Sequence, residues 1–84
     1  MENKKIIDVR SKMEFMGGHV AGSINIPLQE IPDHVEEIRD MGETIFCCAS
    51  GNRSGQAVNY LKAQGINCEN GGGWMELNFK LQNT

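Results

Sequence analysis

Eighty-four residues leave room for one domain, across residues 1–84, and a chain this short buries only ~60–65% of its unfolded surface, so its core must be thin. Charged residues at 23% and hydrophobic residues at 39% exclude a disordered chain and fit an ordinary globular one. The formal net charge of −3, with no basic stripe, argues against nucleic acid as a partner.

The first predicted element is a strand over residues 4–9, in which Ile6, Ile7 and Val9 are apolar. Ser11 and Glu14 have the spacing of a capping box, and the short helix they open is stopped by Gly17 and Gly18. A turn over residues 19–22 leads into a second short strand, 23–26, closed by Pro27. Pro32 suits the first turn of another helix, which runs through Val35 and Ile38 to about Met41 and ends at Gly42. A strand follows at 44–47. After a loop, residues 56–64 read as a helix with Ala57, Val58 and Leu61 on one face. Gly65 ends it, residues 66–69 make a last strand, and Gly71, Gly72 and Gly73 form a flexible turn. A terminal helix begins near Trp74, with Leu77 and Leu81 apolar. Strands alternating with helices predict an α/β layer fold with a mainly parallel sheet flanked by helices.

In such sheets ligands bind beyond the carboxyl ends of the strands, and one such end stands out. Residues 45–54 read Ile-Phe-Cys-Cys-Ala-Ser-Gly-Asn-Arg-Ser: a buried strand breaks into small and polar residues, then passes into a helix. Loop and first-turn N–H groups without intrachain partners converge there, and the helix dipole adds positive potential. A cysteine at that entrance is favoured as thiolate, hence as nucleophile, and Arg53 brings a permanent cation for an anionic substrate group. A cysteine ending a buried strand is by default a small hydrophobe, and Cys47 fits that description. For Cys48, the small residues after it and the arginine at the helix start favour chemistry.

The remaining cysteine arithmetic is bland. Three cysteines, two of them adjacent, make a poor disulfide framework and suit free thiols in a reducing, cytoplasmic setting. Cys47, Cys48 and Cys68 make no C-x-x-C pair, and His19 and His34 are not spaced to join them, so neither metal nor cofactor is expected. Charge returns at Asp8, too soon for a secretory signal, and no stretch approaches a membrane span.

Three blocks together resemble the single-domain rhodaneses, a sulfurtransferase family: Ile6-Ile7-Asp8-Val9-Arg10 with Glu14 and Phe15; Gly18-His19-Val20-Ala21-Gly22-Ser23-Ile24-Asn25-Ile26-Pro27; and Cys48-Ala49-Ser50-Gly51-Asn52-Arg53-Ser54. The turn from Gly71 to Trp74 resembles the family's closing one, so the resemblance runs over nearly all of residues 6–77. It implies a three-layer α/β fold and a persulfide mechanism, with Cys48 taking the outer sulfur of thiosulfate or another persulfide donor and passing it to a thiol or cyanide. Ala49, Ser50, Gly51, Asn52 and Arg53 would bind the substrate. Asp8, Arg10 and His19 would hold loops, and Trp74 would pack in the core or wall the pocket. The resemblance also implies a further strand and helix before residue 4 in most members, which this sequence lacks, leaving a sheet edge and a monomer or weak homodimer as the expectation. With Arg53 the loop's one cation, weak thiosulfate binding and a protein persulfide donor are also expected.

Two rivals remain. A cysteine-dependent phosphatase needs five residues between cysteine and arginine, a spacing that holds from Cys47, whereas four residues separate Cys48 from Arg53. Strand alternation lets only one of the two cysteines aim into the loop. The second rival is a persulfide carrier or partner-binding module with little turnover.

Overall fold

The structure is a computed structural model that describes residues 4–83. Four strands, β1 (Lys5–Asp8), β2 (Ile24–Asn25), β3 (Thr44–Cys48) and β4 (Cys68–Gly73), form one sheet in the order β2-β1-β3-β4. All three pairings are parallel, with Ile7 opposite Ile24 and Phe46, and Phe46 opposite Asn70. The helices are α1 (Lys12–Met16), α2 (Val35–Asp40), α3 (Asn52–Lys62) and α4 (Trp74–Gln82), with a 3-10 segment at Leu28–His34. The expected α/β class with a parallel, helix-flanked sheet is what the chain adopts.

Period-two alternation in β3 divides the core between the two faces of the sheet. Phe46 and Cys48 point to the larger cluster, where Ile7, Ile31, Ile38, Ala57, Val58 and Leu61 bring the 3-10 segment, α2 and α3 against the sheet. Ile45 and Cys47 point the other way, to a smaller cluster with Leu77 on α4, joined by partly buried Ile6, Trp74 and Leu81. All five β3 residues are buried, as expected of a central strand covered on both faces.

Local signals explain most of the elements. Ser11 caps α1, its hydroxyl accepting from the Glu14 N–H at 3.1 Å while Glu14 Oε1 accepts from the Ser11 N–H at 3.0 Å, which is the expected capping box. Three expectations need correction. The helix expected from Pro32 begins as 3-10 turns at Leu28, with Pro32 inside them, and becomes α-helical only at Val35. The helix after the loop starts at Asn52, four residues early, so Asn52 and Arg53 belong to its first turn and the true loop is Ala49, Ser50 and Gly51. The supposed turn at Gly71, Gly72 and Gly73 is strand: β4 runs to Gly73 through an irregularity that pairs Cys47 with Gly72 and leaves Gly71 extra. Side-chain space explains the glycine: a Cβ on Gly71 would come within 2.7 Å of Ile45 Cγ2.

Candidate active site

Cys48 is the last residue of β3, and its side chain faces α3. The chain then turns through Ala49 and Ser50 to Gly51, whose φ of +101° is left-handed and costs a glycine little. That turn folds the loop back over the sulfur. Cys48 Sγ accepts from the Gly51 N–H at 3.0 Å and the Ser54 N–H at 3.4 Å, and lies 3.4 Å from Ser54 Oγ. The sulfur is therefore ringed by loop and first-turn donors of the kind that cradle an anion.

Electrostatics follows that geometry. Burial raises the Cys48 pKa, yet the Ser54 hydroxyl and the N–H groups of Ser54, Ser50 and Gly51 outweigh it and bring the thiol down from 9.0 to about 7. Its neighbour Cys47 has no such ring. Burial, and then the negative charge of Asp8, push it up to about 12. Burial also raises Cys68.

Ser54 is completely buried and donates to Asn70 Oδ1 at 2.7 Å. A hydroxyl has one proton, so Asn70 and the Cys48 sulfur compete for it. Asn70 also accepts from the Gly72 N–H at 2.9 Å and donates to the Gly51 carbonyl at 3.1 Å, tying the loop to β4. Sequence reasoning passed over both residues as functional. The available signal for Asn70 is a polar residue at the carboxyl end of the last predicted strand, directly before three glycines.

Arg53 does not reach into the loop as a free cation. Its Nη1 and Nη2 donate to Glu14 Oε1 and Oε2 at 2.8 and 3.1 Å, a two-pronged pair that joins the start of α3 to α1. The guanidinium holds the Glu14 carboxyl down at about 2, helped by the Ser11 N–H. Arg10 is paired as well. It is buried against the fully buried Asp8, at 2.8 Å, donates to the Gly18 carbonyl and lies 4.8 Å over the Trp74 ring. His19 is exposed, stacks on Phe15 at 3.7 Å and hydrogen-bonds the Phe15 carbonyl through Nδ1. Asp8, Arg10 and His19 thus hold loops.

Of the other expected residues, exposed Ala49 and Ser50 line a hollow of about 470 Å³ with Gly73, Trp74, Met75 and Glu76. Trp74 both walls that hollow and packs on the smaller core cluster. Gly51 supplies an N–H, and Asn52 lies exposed at the start of α3. Among the described residues no group of three or more His, Cys, Asp or Glu is placed to hold a metal, and no helix is long and apolar enough to cross a membrane. The three cysteines are unbridged.

Comparison with known proteins places the chain in a family. The model of the rhodanese-like domain matches residues 1–78. The chain is 36% identical over 84% of its length to the thiosulfate sulfurtransferase PspE of Escherichia coli, of which it covers 71%. It is 33% identical over 75% of its length to the thiosulfate:glutathione sulfurtransferase of Saccharomyces cerevisiae, covering 55% of that protein. A solved structure of a rhodanese with anions from Escherichia coli superposes with a TM-score of 0.77 at 35% identity, over 86% of this chain and 88% of that one. The chain spans about half the length, or less, of the first curated relatives it matches. On the family match and the covered relative together, this chain belongs to the rhodanese-like domain family.

Proposed function

We propose that the protein is a sulfurtransferase that carries a sulfane sulfur on Cys48. The family and its sulfurtransferase relatives support sulfur transfer at the family level. The observation that carries the finer reading is the ring of Gly51 and Ser54 donors around a buried Cys48 sulfur whose pKa lies at about 7.

The Cys48 thiolate attacks the outer sulfur of the donor. A new S–S bond forms, the donor's S–S bond breaks, and its electron pair leaves on sulfite when the donor is thiosulfate, or on a thiolate when the donor is a persulfide. The terminal sulfur of the Cys48 persulfide carries the negative charge, and the donors around the Cys48 sulfur stabilise it. An acceptor thiolate or cyanide then attacks that terminal sulfur and takes it as persulfide or thiocyanate, regenerating the Cys48 thiolate. Acceptors are small thiols or a protein thiol.

The phosphatase alternative needs Cys47 as nucleophile. Cys47 faces α4 with a thiol at about 12, which counts against it. A carrier with little turnover differs only in kinetics. Turnover of thiosulfate with thiol and cyanide acceptors, in wild type and Cys48→Ala, is the test. Repeated turnover in the wild type, lost in the variant, is expected. A single stoichiometric transfer without turnover would identify a carrier, and activity retained by Cys48→Ala would overturn the assignment.

A further inference from the structure

We propose that Glu14 is a specificity-determining residue, holding Arg53 away from the donor so that the Cys48 site favours thiol-borne persulfides over the thiosulfate dianion. The inference rests on the sulfurtransferase reading and narrows its donor class.

Arg53, near Cys48, and Arg10, near the adjacent Cys47, both spend their charge within the protein. Arg53 interacts electrostatically with Cys48, yet both of its terminal nitrogens are held by Glu14. Arg10 uses Nε and Nη2 on Asp8 and adds the Gly18 carbonyl. Asp8, Arg10, Glu14 and Arg53 therefore sum to zero charge around the loop. The hollow lined by Ala49 and Ser50 adds a carboxylate, Glu76, whose Oε1 lies about where a Cβ on Gly73 would meet it, at 3.0 Å. Lys80 borders the neighbouring groove, lined by Gly71, Met75, Glu76 and Phe79, and is absent from the Ala49 side.

Such a site recognises the transferred sulfur through backbone N–H groups but gives a sulfonate end no unpaired guanidinium. Two negative charges brought beside Glu76 are repelled, and most strongly at low salt. A persulfide on an uncharged thiol carries its single charge on sulfur, where the amides lie, and places apolar carbon against Trp74 and Met75. Arg53 would bind the oxygens of thiosulfate well, so the selectivity lies in Glu14, which occupies it.

Glu14→Gln removes the charge and retains the carbonyl oxygen that caps Ser11, because glutamine serves equally in a capping box. The experiment measures KM and kcat for thiosulfate and for mercaptoethanol persulfide at low salt in wild type, Glu14→Gln, Arg53→Gln and the double variant. Glu14→Gln is expected to lower the thiosulfate KM about tenfold, the effect of one charge-assisted contact, and to shift the mercaptoethanol persulfide KM less than about twofold. The gain should vanish in the double variant, which shows that it acts through Arg53. An unchanged donor preference in Glu14→Gln, or a gain that persists without Arg53, would overturn the proposal while leaving sulfur transfer standing. Should Glu14→Gln fold poorly, Arg53→Gln alone decides. A thiosulfate KM that rises while the persulfide KM stays put means Arg53 already binds the donor, and the proposal fails. Absence of Cys48-bound sulfur with either donor would overturn the sulfurtransferase reading together with this one.

Discussion

Cys47 and Cys48 are neighbours in the chain and equally hidden from solvent, yet one thiol is pushed up to about 12 and the other down to about 7. The difference comes from which face of the sheet each one meets. Cys47 turns toward α4 and finds Ile45 and Leu77, and there burial, joined by the negative charge of Asp8, outweighs the opposing pull of Arg10. Cys48 turns toward α3, where a strand end, a left-handed glycine and a helix start bring N–H groups onto its sulfur. Burial alone disfavours a thiolate; burial with donors already in place produces one.

The contrast is sharpest in reactivity. At pH 7 ionisation alone favours Cys48 by about 10⁴–10⁵, offset by about 10² because the more acidic thiolate is the weaker nucleophile. Alkylation followed residue by residue should therefore show Cys48 reacting at least about a hundredfold faster than Cys47. Its rate should rise with pH, level off above about 7, and fall about tenfold for each pH unit below. Comparable rates at the two cysteines would erase the distinction between the faces.

Removing one donor weakens the contrast without abolishing it. Ser54→Ala deletes the hydroxyl 3.4 Å from the sulfur, which should raise the Cys48 midpoint and slow its alkylation at pH 7 about tenfold. An unmoved midpoint would mean that Asn70 holds the Ser54 proton throughout and that the backbone amides do the work alone. Arg53→Ala, which breaks the link to Glu14, should lower kcat with every donor by loosening the start of α3, leaving KM for thiosulfate nearly unchanged.

Damage to the opposite face should cost stability and spare reactivity. A methyl at Gly71 would press on Ile45 and Leu77, so Gly71→Ala should destabilise the fold by about 1–3 kcal/mol in denaturant unfolding while the Cys48 midpoint holds. The smallest effect is a slope. Because the folded Cys48 pKa lies below its ordinary 9.0, the stability it contributes is fully present above pH 9 and is lost as pH falls through about 7. Cys48→Ala should flatten the rise of stability between those values, as read from unfolding curves at several pH values.

How much of this was legible in the sequence varies with the range of the interaction. Short-range signals read through: the Ser11–Glu14 capping box, Gly65 after α3, and the alternation that puts Cys47 and Cys48 on opposite faces are all written within a few residues. What failed depended on distant partners. Nothing local says that Glu14 will meet Arg53 across 39 positions or that Ser54 will meet Asn70 across 16. Three consecutive glycines read as a turn because they lack side chains, but β3 beside them supplies the pairing that makes them strand, and the crowding by Ile45 and Leu77 explains why a side chain is missing at Gly71. Asn52 and Arg53 read as loop residues in the sequence, but the left-handed Gly51 turn launches α3 at Asn52.

The central claim is that sulfur resides on Cys48 and on neither other cysteine. Incubation of the wild-type protein with a persulfide donor, followed by peptide mapping in the mass spectrometer, tests it most directly. The account predicts one added sulfur, carried by Cys48, with Cys47 and Cys68 unmodified; a sulfur found on Cys47 with Cys48 bare would contradict it.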